Sequence, residues 1–365
     1  WLMRMVLMSA YALKEIPFRE VYIHGMVQDK NGQKFSKSLN NGIDPLDVIE
    51  KYSADALRFS IITGVTPGND SRFSEEKVEA AQRLVNKLWN ISRFILTSVD
   101  EVVHGRAFKE LQPQTLADRW ILSRLIRLEE DVAAHMQAAE FSQASEKLRE
   151  FTWTEFADWY LEMSKAQRQD PQTKKSTDAI LVYVLEHLLT YWHPIMPFVT
   201  EHIWSHLDDH ELLMAHAWPV MRMLDLDLEA ETEMESLQEV ISAIRNIRSQ
   251  NVVAPKKKIQ VMIIGGNFQT HTAMIESLAG VEGLTFVTEP PTGEWASAVL
   301  SNSHVFVSLS GLVDHEKESA KKKAEAKDLE GYIKSVTSKL ENVEFISKAP
   351  EHVVASMSQK KAEAQ

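Results

Sequence analysis

Cysteine is absent from all 365 residues, which excludes a disulfide framework and a cysteine-ligated zinc site alike. No apolar run has membrane length: a long one, Ala179 to Leu189, is broken by Glu186 and His187 and falls short of the ~20 residues that a helical span needs. Positive charge is in deficit, 40 Lys and Arg against 52 Asp and Glu for a net charge of −12. That excludes indiscriminate nucleic-acid binding. It leaves a folded RNA open as a partner, because local patches govern contact within a Debye length of about 8 Å at physiological salt. The histidines are scattered rather than set at metal-ligand spacing, so no protein-held metal is expected. Cytoplasm is the expected compartment and a monomer the expected state, with no membrane partner.

The hydrophobic fraction of 44% and the charged fraction of 25% are those of a folded chain with room for two or three domains. One stretch stands apart. Gly32-Gln33-Lys34-Phe35-Ser36-Lys37-Ser38 crowds two lysines and two serines into a loop. A strand is expected before it, over Val21–Gln28, and a helix after it, with Asp44 as N-cap and Pro45 at the first helical position. Lysines in a mobile loop facing a helix N-terminus can grip a polyphosphate, since ammonium groups and backbone N–H donors both favour the charge on a departing pyrophosphate. Taken alone, such a basic run also fits a solvated surface.

Lys34-Phe35-Ser36-Lys37-Ser38 resembles the Lys-Met-Ser-Lys-Ser signature of class I aminoacyl-tRNA synthetases. Its surroundings, Val21-Tyr22-Ile23-His24-Gly25, Ile43-Asp44-Pro45-Leu46-Asp47 and Tyr52-Ser53-Ala54-Asp55-Ala56-Leu57-Arg58-Phe59, look like the valyl branch of that family. Asn86-Lys87-Leu88-Trp89-Asn90, His193-Pro194-Ile195-Met196-Pro197-Phe198 and Arg245-Asn246-Ile247-Arg248 with Ala254-Pro255-Lys256-Lys257-Lys258 continue the likeness. Two departures stand in the loop. Phe35 replaces the signature methionine, and Leu39-Asn40-Asn41-Gly42 replaces the usual Leu-Gly-Asn-Val. Asn tolerates a left-handed backbone, and Gly42 can add flexibility. A His-Ile-Gly-His-like motif and an editing insertion are missing, so the chain reads as the C-terminal part of a longer enzyme.

The resemblance implies a mainly α chain in four parts. Residues 1–72 are the end of a class I α/β catalytic domain, and 73–226 are an α-helical anticodon-binding bundle. Residues 227–312 form a helix plus a small α/β junction module, and 313–365 a coiled-coil hairpin that reaches tRNA. The residue pattern agrees. Leu84, Leu88, Ile91 and Ile95 make an apolar stripe on a helix beginning at Ser74. Thr115 to Asp118 fits a capping box. One long helix is expected over Phe141–Arg168 and another over Lys174–Tyr191. A break falls at Pro194 and Pro197, with a short helix over Phe198–His206 and a further helix near 227–250. Strands are expected at Ile259–Ile264, Leu284–Thr288 and His304–Leu309, with a helix over Thr270–Leu278. Leu329, Ile333, Val336 and Leu340 repeat as a coiled-coil seam. Trp89 and Trp120 read as core.

The implied reaction joins valine to ATP as valyl-adenylate and then transfers the acyl group to tRNA(Val), with Mg²⁺ arriving on the ATP. Lys37 is the first candidate for the pyrophosphate and Lys34 the second. Ser36 and Ser38 either contact phosphate or cap a turn. His24 and Gly25 fall where the family lines its adenosine pocket, although a strand histidine is more often structural. Asp55 and Arg58, at i and i+3, read as a surface ion pair. For RNA, Lys87, Asn90 and Phe94 share one helix face and supply a phosphate contact, an amide for a base edge and an aromatic for stacking. The alternative makes Phe94 core and Lys87 a solvated flank. Lys256, Lys257 and Lys258, and Lys321, Lys322 and Lys323, are basic patches that would also suit a solvated face. Two other functions compete: a standalone tRNA-binding protein derived from a synthetase, and a helical scaffold for protein partners.

Overall fold

Helices begin after Asp44, Ser53, Thr115, Asp170 and Asp227, where the short polar side chain satisfies a free backbone N–H. The computed structural model describes residues 1–36, 38–99, 112–207, 211–219 and 225–309, and in the tail residues 331, 333, 334, 336 and 337. After helix α1 (Leu2–Ala12) and a two-residue strand β1 (Val27–Gln28), α2 (Pro45–Lys51) starts at Asp44, whose Oδ1 accepts the Leu46 N–H at 2.9 Å. Ser53 caps α3 (Ala54–Ile62) in the same way. Strand β2 (Ser71–Arg72) follows, then the long α4 (Glu75–Ser98). Ser74 holds the N-cap position of α4, but its hydroxyl turns to the Glu76 carboxylate. The stripe Leu84, Leu88, Ile91 and Ile95 is buried.

Thr115 caps α5 (Leu116–Gln137) by accepting the Asp118 N–H at 3.1 Å, while the Asp118 carboxylate reaches back to the Gln114 N–H. The expected long helix exists but is not uniform. It runs as α6 (Phe141–Glu150), a segment of wide i→i+5 turns (Phe151–Tyr160), and α7 (Leu161–Gln167). Ten residues of such winding are far from the usual single-turn bulge. Side chains from outside the segment pin it. Thr152 accepts Trp192 Nε1–H at 3.0 Å, Glu155 takes both arms of Arg124 at 2.7 and 2.8 Å, and the buried Tyr160 donates to Asp118 at 2.8 Å. Helix α8 (Pro171–Trp192) and α9 (Pro197–Trp204) complete this bundle, with the break at the expected prolines.

Helix α10 (Leu228–Gln250) contains the junction of two compact units, Trp1–Met234 and Glu235–Gln365. The second holds a four-stranded sheet in the order β4-β3-β6-β5. Strand β3 (Ile259–Gly265) passes through α11 (Thr272–Ala279) to a parallel β4 (Val281–Phe286), and β5 (Trp295–Val299) and β6 (Ser303–Ser308) form an antiparallel hairpin. Ile259, Val261 and Ile263 on β3 are buried at alternate positions, the period of a strand, whereas β6 buries Val305, Phe306 and Val307 in succession.

Several expectations need correction. Pairing over Val21–Gln28 is confined to β1, because the Met26 N–H goes to the Asp70 side chain at 2.8 Å rather than to a neighbouring strand. Strand β4 begins at Val281, three residues ahead of the expected start, and β5 had no expectation at all. Trp89 is 38% exposed and stacks on His202 with ring centroids 5.5 Å apart; Trp120 is buried. Asp55 and Arg58 are no surface pair. Asp55 is buried and accepts the N–H groups of Phe198 and Val199, while Arg58 donates to the carbonyls of Ile195 and Pro194. The coiled-coil arm over 313–365 lies outside the described residues, apart from the five tail positions 331, 333, 334, 336 and 337.

Candidate signature loop and nucleic-acid interface

The signature loop is built on a turn that precedes it. Asp29, buried at 9% exposure, accepts the N–H groups of Asn31 at 2.9 Å and Gln33 at 2.8 Å on one carboxylate oxygen. Its other oxygen takes the Asn41 amide at 2.9 Å. These donors, the Asn41 amide foremost, hold the Asp29 carboxyl below the usual carboxylate range. Gly32 completes the turn at φ +79°, where a side chain would be strained. An isolated antiparallel bridge then joins Lys34 to Gln28.

Asn41 closes the far end. Its Oδ1 accepts the Ser36 N–H at 2.9 Å, and its amide also reaches the Lys34 carbonyl at 3.3 Å. Ser36 Oγ accepts the Leu39 N–H at 3.2 Å and lies 3.2 Å from Ser38 Oγ, which is the turn-capping geometry. Asn40 adopts φ +49°, the left-handed backbone expected of an asparagine there. Lys34 is exposed, and its ammonium makes no ion pair among the described residues. Lys37 lies outside the described residues. Sequence reading passed over Asp29 and Asn41, although Asp29-Lys30-Asn31-Gly32 carries the residue types of a tight turn.

His24 is exposed, and its Nδ1 donates to the Gly25 carbonyl at 2.7 Å. Gly25 is dictated by packing. A Cβ there would stand 1.7 Å from the Asn69 carbonyl oxygen. His24 and Gly25 thus sit where the chain lies against residues 68–70, with the Gly68 N–H donating to the Ile23 carbonyl at 3.0 Å.

On α4 the structure brings Lys87, Asn90 and Phe94 to one flank. Lys87 Nζ pairs with Asp158 at 2.8 Å and sits 4.8 Å from the Trp153 ring centroid. The half-buried Phe94 has the Lys165 ammonium 5.8 Å from its ring centroid, and Asn90 is exposed between them. Lys87 and Phe94 therefore already hold intramolecular partners from the wide-turned segment and α7. The Trp89–His202 stack extends to His206, whose ring lies edge-on at 5.1 Å.

In the second unit Lys256, Lys257 and Lys258 are all exposed. Their loop is fixed by Arg248, which is 8% exposed and donates to the carbonyls of Gly280, Ala254, Pro255 and Lys257. A Cβ at Gly280 would lie 3.1 Å from this guanidinium. Lys321, Lys322 and Lys323 lie outside the described residues. Among the described residues no group of three or more His, Asp or Glu could hold a metal ion, and no helix is long and apolar enough to cross a membrane.

Residues 1–74 match the family model of class I tRNA synthetases (I, L, M and V), and residues 118–263 match the anticodon-binding domain of tRNA ligase. The valine–tRNA ligase of Clostridium acetobutylicum is 40% identical over 365 residues, covering 97% of this chain and 41% of that one. That of Bacillus cereus is 39% identical over 367 residues with the same coverage. A solved LeuRS–tRNA–LeuAMS complex from Agrobacterium radiobacter gives a TM-score of 0.49 at 18% identity, covering 73% of this chain and 29% of that one, too remote a likeness to bear on function. The chain spans about two fifths of the length of the curated relatives it matches. It belongs to the class I tRNA synthetases, along the stretch that it shares with valine–tRNA ligases.

Proposed function

We propose that this chain supplies the pyrophosphate-stabilising loop and the tRNA-binding surfaces of a valine–tRNA ligase. The observation that carries this is the loop itself. Its backbone is clamped at both ends by Asp29 and Asn41, while the Lys34 ammonium has no ion-pair partner among the described residues. In the first step a valine carboxylate oxygen bonds to the α phosphorus of ATP as the bond to the bridging oxygen breaks, and pyrophosphate leaves. Lys34 and Lys37 hold the negative charge that builds on the departing β and γ phosphates, and Ser38 adds a hydroxyl. Ser36 acts through the turn that it caps. A loop that closes on the transition state and relaxes in the ground state lowers the barrier through differential binding. In the second step the acyl group passes to a terminal ribose hydroxyl of tRNA(Val). The α4 flank of Lys87, Asn90 and Phe94 and the lysines at 256–258 and 321–323 contact that RNA. His24 and Gly25 border the adenosine, Mg²⁺ comes with the ATP, and the working form is a cytoplasmic monomer.

The test is a pair of measurements on the purified chain: binding to tRNA with valine and non-valine anticodons, and ATP–pyrophosphate exchange. Preferential binding of the valine tRNA without exchange is expected. Robust exchange by this chain alone, or equal affinity for all tRNAs, would overturn the proposal.

A further inference from the structure

The backbone pairing beneath the signature loop brings a cation from another part of the chain to its side. Lys34 bridges to Gln28 on one side of β1, and Arg72 of β2 pairs with Gln28 on the other. Directly paired residues send their side chains to the same face. Lys34, Gln28 and Arg72 therefore stand in one row, each roughly 5 Å from the next backbone. The Arg72 side chain crosses Gln28 to reach the turn at the head of the loop. A Cβ on Gly32 would lie 3.4 Å from Arg72 Nη2, 3.5 Å from its Nε and 3.6 Å from Gln28 Oε1. The absence of a side chain at Gly32 leaves the Nε–Nη2 edge uncovered. That edge carries the parallel N–H donors that grip two oxygens of a phosphate.

Neither nearby carboxylate neutralises the guanidinium. Asp70, two residues back on the same strand, gives one oxygen to the Met26 N–H at 2.8 Å and the other to Gln28 Nε2 at 2.6 Å. Asp29 is taken up by Asn31, Gln33 and Asn41. The exposed Arg72, like the exposed Lys34, makes no ion pair among the described residues. Two such cations side by side, in a chain of net charge −12, focus a positive field on an anion from outside. About 10 Å separates their backbones, a gap that two long side chains can close from opposite ends. A diphosphate engages both; a single phosphate of RNA needs only one.

We propose that Arg72 is a further catalytic residue of adenylate formation, its guanidinium holding the departing pyrophosphate from the side opposite Lys34. This rests on the reaction proposed above. As the valine carboxylate oxygen bonds to the α phosphorus, the electron pair of the breaking bond stays on the bridging oxygen. The added charge spreads over the β and γ phosphates, where Arg72 meets it with hydrogen bonds and transfers no proton.

ATP–pyrophosphate exchange by a complete ligase carrying this chain, measured over a range of pyrophosphate concentrations, tests this. Arg72→Gln should raise the KM for pyrophosphate by about tenfold or more, the effect of losing a hydrogen bond to a charged group. It should also slow adenylate formation and leave the KM for tRNA unchanged. Arg72→Lys keeps the charge but loses the fork, so it should recover only part of the loss. An arginine that merely supports the turn would lower the amount of active enzyme without moving the pyrophosphate KM, and that result overturns the proposal. So does a rise in the tRNA KM in its place, which would give the cation to RNA. Lys34→Ala in the same assay separates the two readings. Exchange lost with Lys34→Ala but kept with Arg72→Gln removes Arg72 alone, whereas exchange indifferent to both removes the loop reading with it.

Discussion

The Asp55 carboxylate accepts the Val199 N–H at 2.7 Å across 144 residues of chain, and so caps α9 from α3. Arg58, one turn further along α3, takes the carbonyls just before α9 at 3.0 Å each. The two side chains satisfy backbone groups on both sides of one sharp break. Burial pushes the Asp55 carboxyl up, against the opposing pull of the two backbone donors.

Asp55→Ala removes this remote cap and leaves two N–H groups unsatisfied. A loss of about 2 kcal/mol is expected, within the range for caps and for buried unpaired groups. Asp55→Asn keeps an acceptor and should recover most of it. Denaturant midpoints at constant slope are the measurement, and equal stability of wild type and Asp55→Ala would refute the assignment.

His187 sets an acid limit on the bundle. Burial lowers it to about 4, opposed by its hydrogen bond to the Tyr183 carbonyl. An unfolded histidine titrates near 6.5, so between that pH and about 4 the unfolded state binds the extra proton. The contribution is complete above 6.5 and is lost as pH falls, by up to about 3 kcal/mol at pH 4. His187→Gln should flatten this part of the stability–pH curve, read from melting temperatures between pH 4 and 7.

Loop position and loop charge should separate kinetically in a complete enzyme. Lys34→Ala removes a charge from the leaving group and should cost roughly 3–4 kcal/mol of barrier lowering. Asn41→Ala leaves every ammonium in place but frees the loop, and a displacement of about 1 Å can slow chemistry by up to a hundredfold. Both should depress ATP–pyrophosphate exchange and spare tRNA affinity. A fall in tRNA affinity matching the fall in exchange would show the loop acting on RNA instead.

Replacing Lys256, Lys257 and Lys258 with serine removes three exposed cations while keeping the Arg248 scaffold of backbone carbonyls. If each touches a phosphate, the slope of log affinity against log salt should fall by about 2–3. An unchanged slope would leave these lysines as solvated surface.

Local signals in the sequence were faithful. Asp44 before Pro45 and Thr115 before Asp118 marked helix starts correctly, and the 84–88–91–95 stripe marked a buried face, because caps and periodicity are settled within a few residues. What escaped notice depends on distant partners. Asp55 and Arg58 read as an ordinary i, i+3 pair until residues 194–199 arrive beside them. Asn41 stands where the family pattern also has asparagine and drew no attention, yet its side chain bridges Asp29 and Ser36. Strand β5, with Ala and Ser at its centre, lacks the β-branched run that announces a strand and gains its place from the hairpin with β6. The roles proposed for Lys34, Ser36 and Ser38 rest on the family signature, since charge by itself does not distinguish a grip from a surface.

The wide-turned stretch over Phe151–Tyr160 has a bearing on which length changes the gene can tolerate. Each residue of ordinary helix turns the chain by about 100°, and a wide turn holds more residues than an ordinary one. Deleting one residue there lets the backbone take up ordinary winding with little rotation of what lies beyond, so Tyr160 can keep its approach to Asp118 and α7 its side. The same deletion in the uniform winding of α8 would turn every later residue of that helix by about 100°, so the bundle should accept a one-residue loss in its broadest coil and reject it in its regular helices.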